Sequence, residues 1–287
     1  MSKWVGVLQV LLAGLGFGFL GIFGRWAFQE NLSIGELLFW RFVFASTLLW
    51  IVALFWKRQL LRLQLTQILT SLGLGLFGYA VFSTLYFESI KGVSVALAAM
   101  LLFTFPIFVS LGSHFVLKER MSPSQWLSLL VAFAGMTLLL WGDISVESAK
   151  ALLMGLGAAI SYSIYVLISG RVQKNVPALS SSLYVITAAA VGLYVFHRPD
   201  LGRILHFSLR QYSILFGIAV FCSILPMSLF LAGLQKMKSS QASILVMIEP
   251  VVAAAAAWLL LGEGLSLRQL VGGAMVLAAL VLNAISK

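Results

Sequence analysis

The chain has 287 residues, of which 61% are hydrophobic and 10% are charged. Soluble globular domains carry about 45–50% apolar and about 25% charged residues, so a water-soluble fold is excluded, and disorder is excluded because it needs low hydrophobicity. The apolar runs are long and do not alternate with polar residues, which argues against an outer-membrane β-barrel. Since a helical span needs about 20 apolar residues, the composition predicts an all-α membrane protein of about ten transmembrane helices.

Polar residues divide the chain into ten apolar segments, each long enough to cross the hydrocarbon core as a helix. The first segment lacks a small-x-small cleavage site, so we interpret it as a retained span and not as a signal peptide. The predicted spans are 5–28, 34–56, 66–87, 93–117, 123–141, 149–170, 178–196, 211–232, 239–261 and 267–285.

The net charge of +10 could indicate a nucleic-acid partner, but the placement of the charges favours another cause. With both termini on one side, that side carries eleven basic residues and one acidic residue, against eight basic and seven acidic residues opposite. Because Lys and Arg accumulate in cytoplasmic loops, we predict a multi-pass protein of the cell inner membrane with cytoplasmic N- and C-termini and no nucleic-acid partner. The loop with Arg198, Arg203 and Arg210 runs against this rule.

The chain contains an internal repeat. Residues 85–138 align without gaps with 229–282, and both stretches contain a Glu-x-x-Ser-x-x-Gln frame. Together with a second match, of residues 11–16 to 152–157, this alignment predicts two five-helix repeats, 1–145 and 146–287. Because five is odd, the second repeat must enter the membrane upside down. Inverted repeats are a common construction of secondary transporters, which bind substrate near the membrane midplane.

Each repeat has a proline in its fourth span, followed by an apolar run and Leu-x-Glu-x-x-Ser. The marker residues are Pro106 and Glu119 in the first repeat and Pro250 and Glu263 in the second, with Phe-Trp-Arg41-Phe in span 2. In these motifs the sequence resembles the drug/metabolite transporter (DMT) superfamily, EamA type, over its whole length. The resemblance implies ten helices around a central cavity, lined mainly by the first, third and fourth helices of each repeat. It also implies transport of amino acids or related metabolites, with export as the expected direction; a cationic drug or a nucleotide-sugar-like solute is the alternative cargo.

Glu249 lies near the middle of span 9, where an ionised carboxylate is costly unless it is paired. Phe105 is its repeat counterpart, so the charge breaks the internal symmetry. No Lys or Arg lies at a comparable depth in the predicted spans. Arg41 is expected to snorkel to the outer surface; a role in gating or folding is the alternative. Glu249 could be a proton-coupling site, a counter-ion for a substrate ammonium, or a hydrogen-bonded carboxyl that caps backbone freed by Pro250.

Two other spans carry polar side chains at helical spacing. We predict that Tyr79, Ser83 and Tyr86 in span 3, and Tyr162 and Tyr165 in span 6, line the cavity, because a tyrosine hydroxyl at mid-depth needs a polar partner. Tight packing of small residues is the alternative for these faces. The remaining predictions concern Ser223 in span 8 as a further cavity residue, and Pro106, Pro226 and Pro250 as helix breaks or hinges.

Other classes of function fit less well. No His/Cys/Asp cluster has metal-ligand spacing, and no Walker-type loop is present, so neither an enzyme nor a cofactor is expected. A channel would need a ring of carbonyls or charges, and a channel or non-transport scaffold is kept as an alternative. The sequence predicts a secondary transporter that works by alternating access on a small-molecule substrate in the lipid bilayer, as a monomer or a weak homodimer.

Overall fold

The computed structural model describes residues 2–119, 121–142 and 144–286. Arg120, Asp143 and Lys287, which enter the charge balance above, lie outside the described residues. Within those residues, ten helices are long and apolar enough to cross a membrane, so the ten-helix prediction is confirmed. They are span 1 (Lys3–Gln29), span 2 (Ile34–Trp56), span 3 (Leu65–Ile90), span 4 (Val95–Phe115), span 5 (Pro123–Leu140), span 6 (Ala149–Val172), span 7 (Ala178–His197), span 8 (Leu209–Leu234), span 9 (Ser239–Leu261) and span 10 (Leu267–Ile285).

Several spans are interrupted. Span 1 is interrupted between the helices Ser2–Gly18 and Leu20–Gln29, and span 4 between Val95–Leu102 and Phe105–Phe115. π-helical turns occur at Val52–Trp56 in span 2, Leu74–Ala80 in span 3 and Val220–Ile224 in span 8, and a 3-10 turn at Val246–Ile248 leads into the helix Glu249–Leu261 of span 9. The turns in spans 3 and 8 overlap when the first repeat is shifted by 144 residues, so the repeat extends to local backbone geometry.

The turn after span 4 and the turn after span 9 share one backbone conformation. Lys118 has φ 55° and Gly262 has φ 70°, so the residue before each motif glutamate is left-handed. The next backbone N–H closes the turn in both repeats: Glu119 N donates to Ser113 O at 2.9 Å, and Glu263 N donates to Ala257 O at 3.4 Å. A left-handed residue with such a bond is a common way to end a helix. The middle residue of Leu-x-Glu is therefore the helix stop.

The rest of the motif starts the following helix. The backbone N–H of Ser122 donates to Gln125 Oε1 at 2.9 Å, and that of Ser266 donates to Gln269 Oε1 at 2.9 Å. Both pairs form a capping box, which satisfies backbone donors at a helix start. The repeated Glu-x-x-Ser-x-x-Gln frame thus connects the end of one helix to the start of the next. The geometry of this turn explains the spacing of the three residues.

Both ends of the described chain lie at one end of the bundle, where Lys3 Nζ donates to the backbone oxygen of Ser286. We refer to this as the termini end and to the opposite end, where span 1 finishes and span 2 begins, as the distal end. Large apolar side chains such as Phe77, Phe115, Leu153 and Leu259 are exposed around the bundle. In a membrane this surface faces lipid, so the fold buries its polar groups inside the bundle.

Candidate substrate cavity

A cavity of about 120 Å³ lies between the spans, and we refer to it as the inner chamber. Tyr79, Ser83, Tyr86, Tyr162 and Glu249 all line it, so the structure brings together five of the seven side chains that the sequence proposes for a cavity. Its other lining residues are Phe17, Leu20, Arg41, Phe82, Phe87, Leu102, Phe103 and Phe105. The chamber is therefore mainly aromatic, with one acidic and one basic residue in its wall.

A second cavity of about 390 Å³, the vestibule, continues from the inner chamber. The two share Arg41, Tyr86 and Glu249 among their lining residues. Phe28 and Ile34 line the vestibule where spans 1 and 2 meet the distal end of the bundle, and Ile90 and Val95 do so where spans 3 and 4 meet it. The chamber is therefore connected to the distal end.

Towards the termini end, the inner chamber rests on packed aromatic rings. The Tyr79 ring centroid is 4.7 Å from that of Phe82 and 5.7 Å from that of Tyr165. The Tyr162 ring packs against Phe82 and Phe105, at 4.5 and 4.7 Å. Edge-to-face and tilted pairs of this kind stabilise the packing of the rings against one another.

Beyond the aromatic rings, a buried hydrogen-bond network joins four spans. Gln173 Nε2 donates to Ser71 Oγ at 3.1 Å, and Ser181 Oγ donates to Gln173 Oε1. Gln235 Nε2 donates to the backbone oxygens of Gln173 and Val176, at 3.0 and 2.6 Å. The network ties together spans 3, 6, 7 and 8 at the termini end. The aromatic rings and this network therefore lie between the inner chamber and the termini end, whereas the vestibule leads from the chamber to the distal end.

The expectation that Arg41 snorkels to the outer surface is wrong. Its side chain is 4% exposed and lines both cavities, with Tyr79 as a polar neighbour. The guanidinium carbon lies 4.6 Å from the centroid of the Phe42 ring, in a cation–π arrangement. Arg41 belongs to a helix face with Leu38, Ala45 and Leu49, all buried, so the face that carries it turns into the bundle.

Glu249 begins the helix that follows the 3-10 turn of span 9. It lies about 15 Å along the helix axis from the start of the span and about 18 Å from its end. Gly18 of span 1 permits this placement, because a Cβ atom there would be 2.8 Å from the Glu249 carbonyl oxygen and 2.7 Å from Val252 Cβ. Among the described residues, no salt bridge within 4.0 Å reaches the Glu249 carboxylate.

Tyr165 and Ser223 lie outside the inner chamber. The Tyr165 ring, 1% exposed, stacks behind Tyr162 at 5.8 Å between centroids and 9° between planes. Ser223 is buried, and its hydroxyl donates to Ile218 O at 3.2 Å, in the preceding turn of span 8. Pro226 packs near Gly16 of span 1, where a Cβ atom would be 3.1 Å from the proline ring. Span 1 therefore covers this face of span 8, and span 8 contributes no residue to the lining of the chamber. Span 2, in contrast, contributes Arg41. The expected set of lining helices is wrong for these two spans.

The three prolines all occupy the second position of a helix that follows an interruption. Pro106 is in Phe105–Phe115, Pro226 in Leu225–Leu234 and Pro250 in Glu249–Leu261. Proline cannot donate to the carbonyl four residues earlier, which for Pro106 is that of Leu102 in the chamber wall. The expected interruptions are thus present, and hinge motion at them stays a prediction.

The two motif glutamates lie at opposite ends of the bundle, and each has a basic neighbour in the other repeat. Glu263 forms an ion pair with Arg25 at the distal end. Partial burial raises the pKa of the Glu119 carboxyl at the termini end, while the charges of Lys238 and Lys174 oppose that rise. Neither glutamate lines the inner chamber, so the motif connects the repeats and does not face the cavity.

Across the described ranges, no group of three or more His, Cys, Asp or Glu side chains is placed to hold a metal ion. Among the described residues that line the chamber, Glu249 is the only one with a carboxylate. The site can therefore offer organic solutes aromatic faces, hydroxyl groups and one charge of each sign.

Comparison with known proteins agrees with this architecture. Residues 4–141 and 149–285 each match the model of the EamA-like transporter family. An uncharacterized transporter of Archaeoglobus fulgidus is 28% identical over 213 residues, covering 74% of this chain and 75% of the relative. The threonine/homoserine exporter RhtA of Escherichia coli is 26% identical over 195 residues, covering 68% of this chain and 64% of that protein. A solved crystal structure with 17% identity has a TM-score of 0.81 and covers 98% of this chain and 96% of its own, which shows a common fold.

Proposed function

Because the chain belongs to the EamA-like transporter family, we propose that it exports amino acids or related small metabolites by alternating access between its two inverted repeats. The observation that carries the proposal is the inner chamber, which holds Arg41, Glu249 and three tyrosines. The chamber communicates with the distal end, and aromatic packing and the Gln173 network close it on the other side. A closed end and an open end are what one state of an alternating-access cycle requires.

The chemistry of the chamber supports an amphoteric cargo. A carboxylate and a guanidinium can pair with opposite charges, and the aromatic faces can cover an apolar side chain. The name of the relative RhtA supports the same class of solute. The excess of basic residues at the termini end supports a cytoplasmic location of that end in the inner membrane, so the open vestibule would face outward.

Glu249 has two roles under this proposal, and they predict different results. As a proton-coupling site, it would be protonated and deprotonated during the cycle, so Glu249→Gln would abolish transport driven by a pH gradient but keep exchange between equal pH values. As a counter-ion for the substrate ammonium, Glu249→Gln would lower apparent affinity under both conditions. Glu147→Gln is the matched control, because Glu147 is exposed in the loop before span 6.

The test is a liposome assay with purified protein. Uptake and counterflow of the twenty radiolabelled amino acids are measured with equal pH and with an inward or outward pH gradient, against protein-free liposomes. Saturable counterflow of at least one amino acid is expected. Absence of counterflow for all of them contradicts the proposed cargo.

A cationic drug is the alternative that one observation favours, namely an acidic side chain beside an apolar vestibule. The same liposomes distinguish it. Accumulation of a lipophilic dye cation such as ethidium, with no amino-acid counterflow, would replace the amino-acid proposal with drug export.

A further inference from the structure

We propose that Arg41 and Glu249 form a two-point charge site that selects zwitterions. In this site the guanidinium binds the carboxylate of the substrate, Glu249 binds its ammonium, and the tyrosines of the inner chamber contact its side chain. The inference rests on the proposed function and deepens it, since it names Arg41 as the residue that recognises the carboxylate.

The first argument is the position of Arg41. It lies about 10 Å along the helix axis from the distal start of span 2, with its side chain 4% exposed and in the wall of both cavities. The Nε atom is buried and has no hydrogen-bond partner among the described residues. A charged side chain in the interior of a membrane protein is costly, and a cavity-facing one is a mark of a substrate or ion pathway.

The second argument is that neither charge neutralises the other directly. Both residues line the inner chamber, and the charge of Arg41 acts on Glu249. Their nearest nitrogen and oxygen atoms are nevertheless more than 4.0 Å apart, since the salt bridges of the described residues do not include this pair. Two opposite charges that face one cavity across a gap complement a solute with two opposite charges.

The third argument is that each charge occurs in one repeat only. Span 2 begins at Ile34 and span 7 at Ala178, so Val185 takes the place of Arg41 in the second repeat. Phe105 takes the place of Glu249 in the first. In each case the other repeat builds the equivalent helix with an apolar residue at that position. The charges therefore occur once each, and they meet where the repeats form the chamber.

Guanidinium and carboxylate groups match each other in geometry. The planar fork of Arg can donate two parallel hydrogen bonds to one carboxylate, whereas the ammonium of Lys acts as a point charge. A substrate without a carboxylate would leave the buried guanidinium without a negatively charged group in contact and its Nε without an acceptor, and this cost is the basis of discrimination. An exposed arginine could not discriminate in this way, because water would replace the missing partner.

The test compares three solutes of one shape, L-phenylalanine, L-phenylalaninamide and 3-phenylpropionate, as competitors of radiolabelled L-phenylalanine and L-threonine counterflow in liposomes. For the wild type, the zwitterion is expected to compete at least about tenfold better than either singly charged analogue. Equal competition by the amide, with transport intact, overturns the two-point site and leaves the proposed function standing. Failure of every amino acid to exchange overturns both.

Variants test which of the two residues binds the carboxylate of the substrate and which binds its ammonium. Arg41→Gln is expected to remove the preference for phenylalanine over its amide, and Arg41→Lys to retain part of it. Glu249→Gln is expected to remove the preference over 3-phenylpropionate. Arg268→Gln, at an exposed position in span 10, and Glu147→Gln are the matched controls. An Arg41→Gln protein that folds and still rejects the amide contradicts the assignment; if that variant does not fold, the order of the three analogues in the wild type decides.

Discussion

Arg203, in the loop between spans 7 and 8, forms a salt bridge with Glu36 at the start of span 2, with 2.6 Å between Nη1 and Oε1. The other carboxylate oxygen, Oε2, accepts hydrogen bonds from the backbone nitrogen and the hydroxyl of Ser33, at 2.8 and 2.7 Å. One carboxylate thus caps a helix of the first repeat and holds a loop of the second. The contact lies at the distal end, next to the vestibule.

Two further ion pairs join the repeats at this end. Arg210 Nε lies 3.1 Å from Glu30 Oε1, and Arg25 pairs with Glu263. Arg203 lies in the loop before span 8 and Arg210 in the first turn of that span, and both run against the excess of basic residues expected on the cytoplasmic side. Their charges are balanced by carboxylates of the other repeat. Contacts between the repeats therefore explain why these two arginines lie at the distal end.

The first prediction concerns the Arg203–Glu36 pair. Arg203→Gln is expected to lower the free energy of unfolding by about 1 kcal/mol, because Glu36 is buried but Arg203 is partly exposed to screening solvent. Thermal unfolding in detergent, followed by tryptophan fluorescence, measures the change. Arg198→Gln, in the same loop and exposed, should leave the midpoint unchanged; an equal loss in both variants would mean that the loop itself is sensitive.

The second prediction is a pH dependence at Glu119. Burial raises its pKa in the folded protein above the ordinary value of 4.5. The folded state then binds more protons than the unfolded state, so stability falls as pH rises from 4.5 through the folded pKa. Glu119→Gln should remove this fall, and unfolding midpoints between pH 4 and pH 7 would show a flatter curve than the wild type. A variant with an unaltered slope would assign the dependence to another group.

The third prediction uses the close contact of span 1 with span 9. Gly18→Ala is expected to abolish most transport, because its methyl group would be 2.8 Å from the Glu249 carbonyl oxygen and would displace the residue that begins the helix. Overpacking of this kind costs about 1–3 kcal/mol, so the protein should still fold, which size-exclusion chromatography would show.

The control for Gly18 is Gly73 of span 3, where a Cβ atom would meet nothing within 4 Å. Gly73→Ala should leave counterflow at the wild-type rate, and its thermal midpoint should stay the same or rise, since alanine favours a helix. If Gly18→Ala transports normally, tight packing of span 1 is not what holds Glu249.

The fourth prediction exploits the equivalent turns at Lys118 and Gly262. Both residues have positive φ, which costs a non-glycine residue about 1–2 kcal/mol. Gly262→Ala should therefore lower the free energy of unfolding by about that amount, and Lys118→Gly should raise it. Opposite shifts of the unfolding midpoint in the two variants are the expected outcome; shifts of the same sign would contradict the role of the middle residue of Leu-x-Glu as a helix stop.

The positions of the spans were predictable because a lipid bilayer limits the alternatives. A backbone in hydrocarbon must satisfy its own hydrogen bonds, so length and polarity of the segments were sufficient to place ten helices. The presence of a charged group inside the membrane was equally predictable, because Glu249 is a carboxylate in the middle of an apolar segment. The tyrosines at helical spacing in span 3, Tyr79 and Tyr86, line the chamber together with it.

The directions of the side chains were not predictable in the same way. Span 2 is apolar on every side, so its hydrophobic pattern does not tell which face carries Arg41 into the bundle. The same reason applies to Ser223 and Tyr165, which have helical spacing and polar groups like those of the chamber residues but lie behind other side chains. An amphipathic pattern would have distinguished these faces, and a lipid-embedded helix has little need of one.

The sequence by itself determined the class of protein, the number of spans, the internal repeat and the presence of a charge inside the membrane, because each depends on local composition or on spacing along the chain. The tertiary structure decided that Arg41 shares a cavity with Glu249, that span 8 is covered by span 1, and that the bundle is open at its distal end. These features depend on how closely helices approach and how they are rotated about their axes. In a chain whose helices are apolar all round, packing sets both.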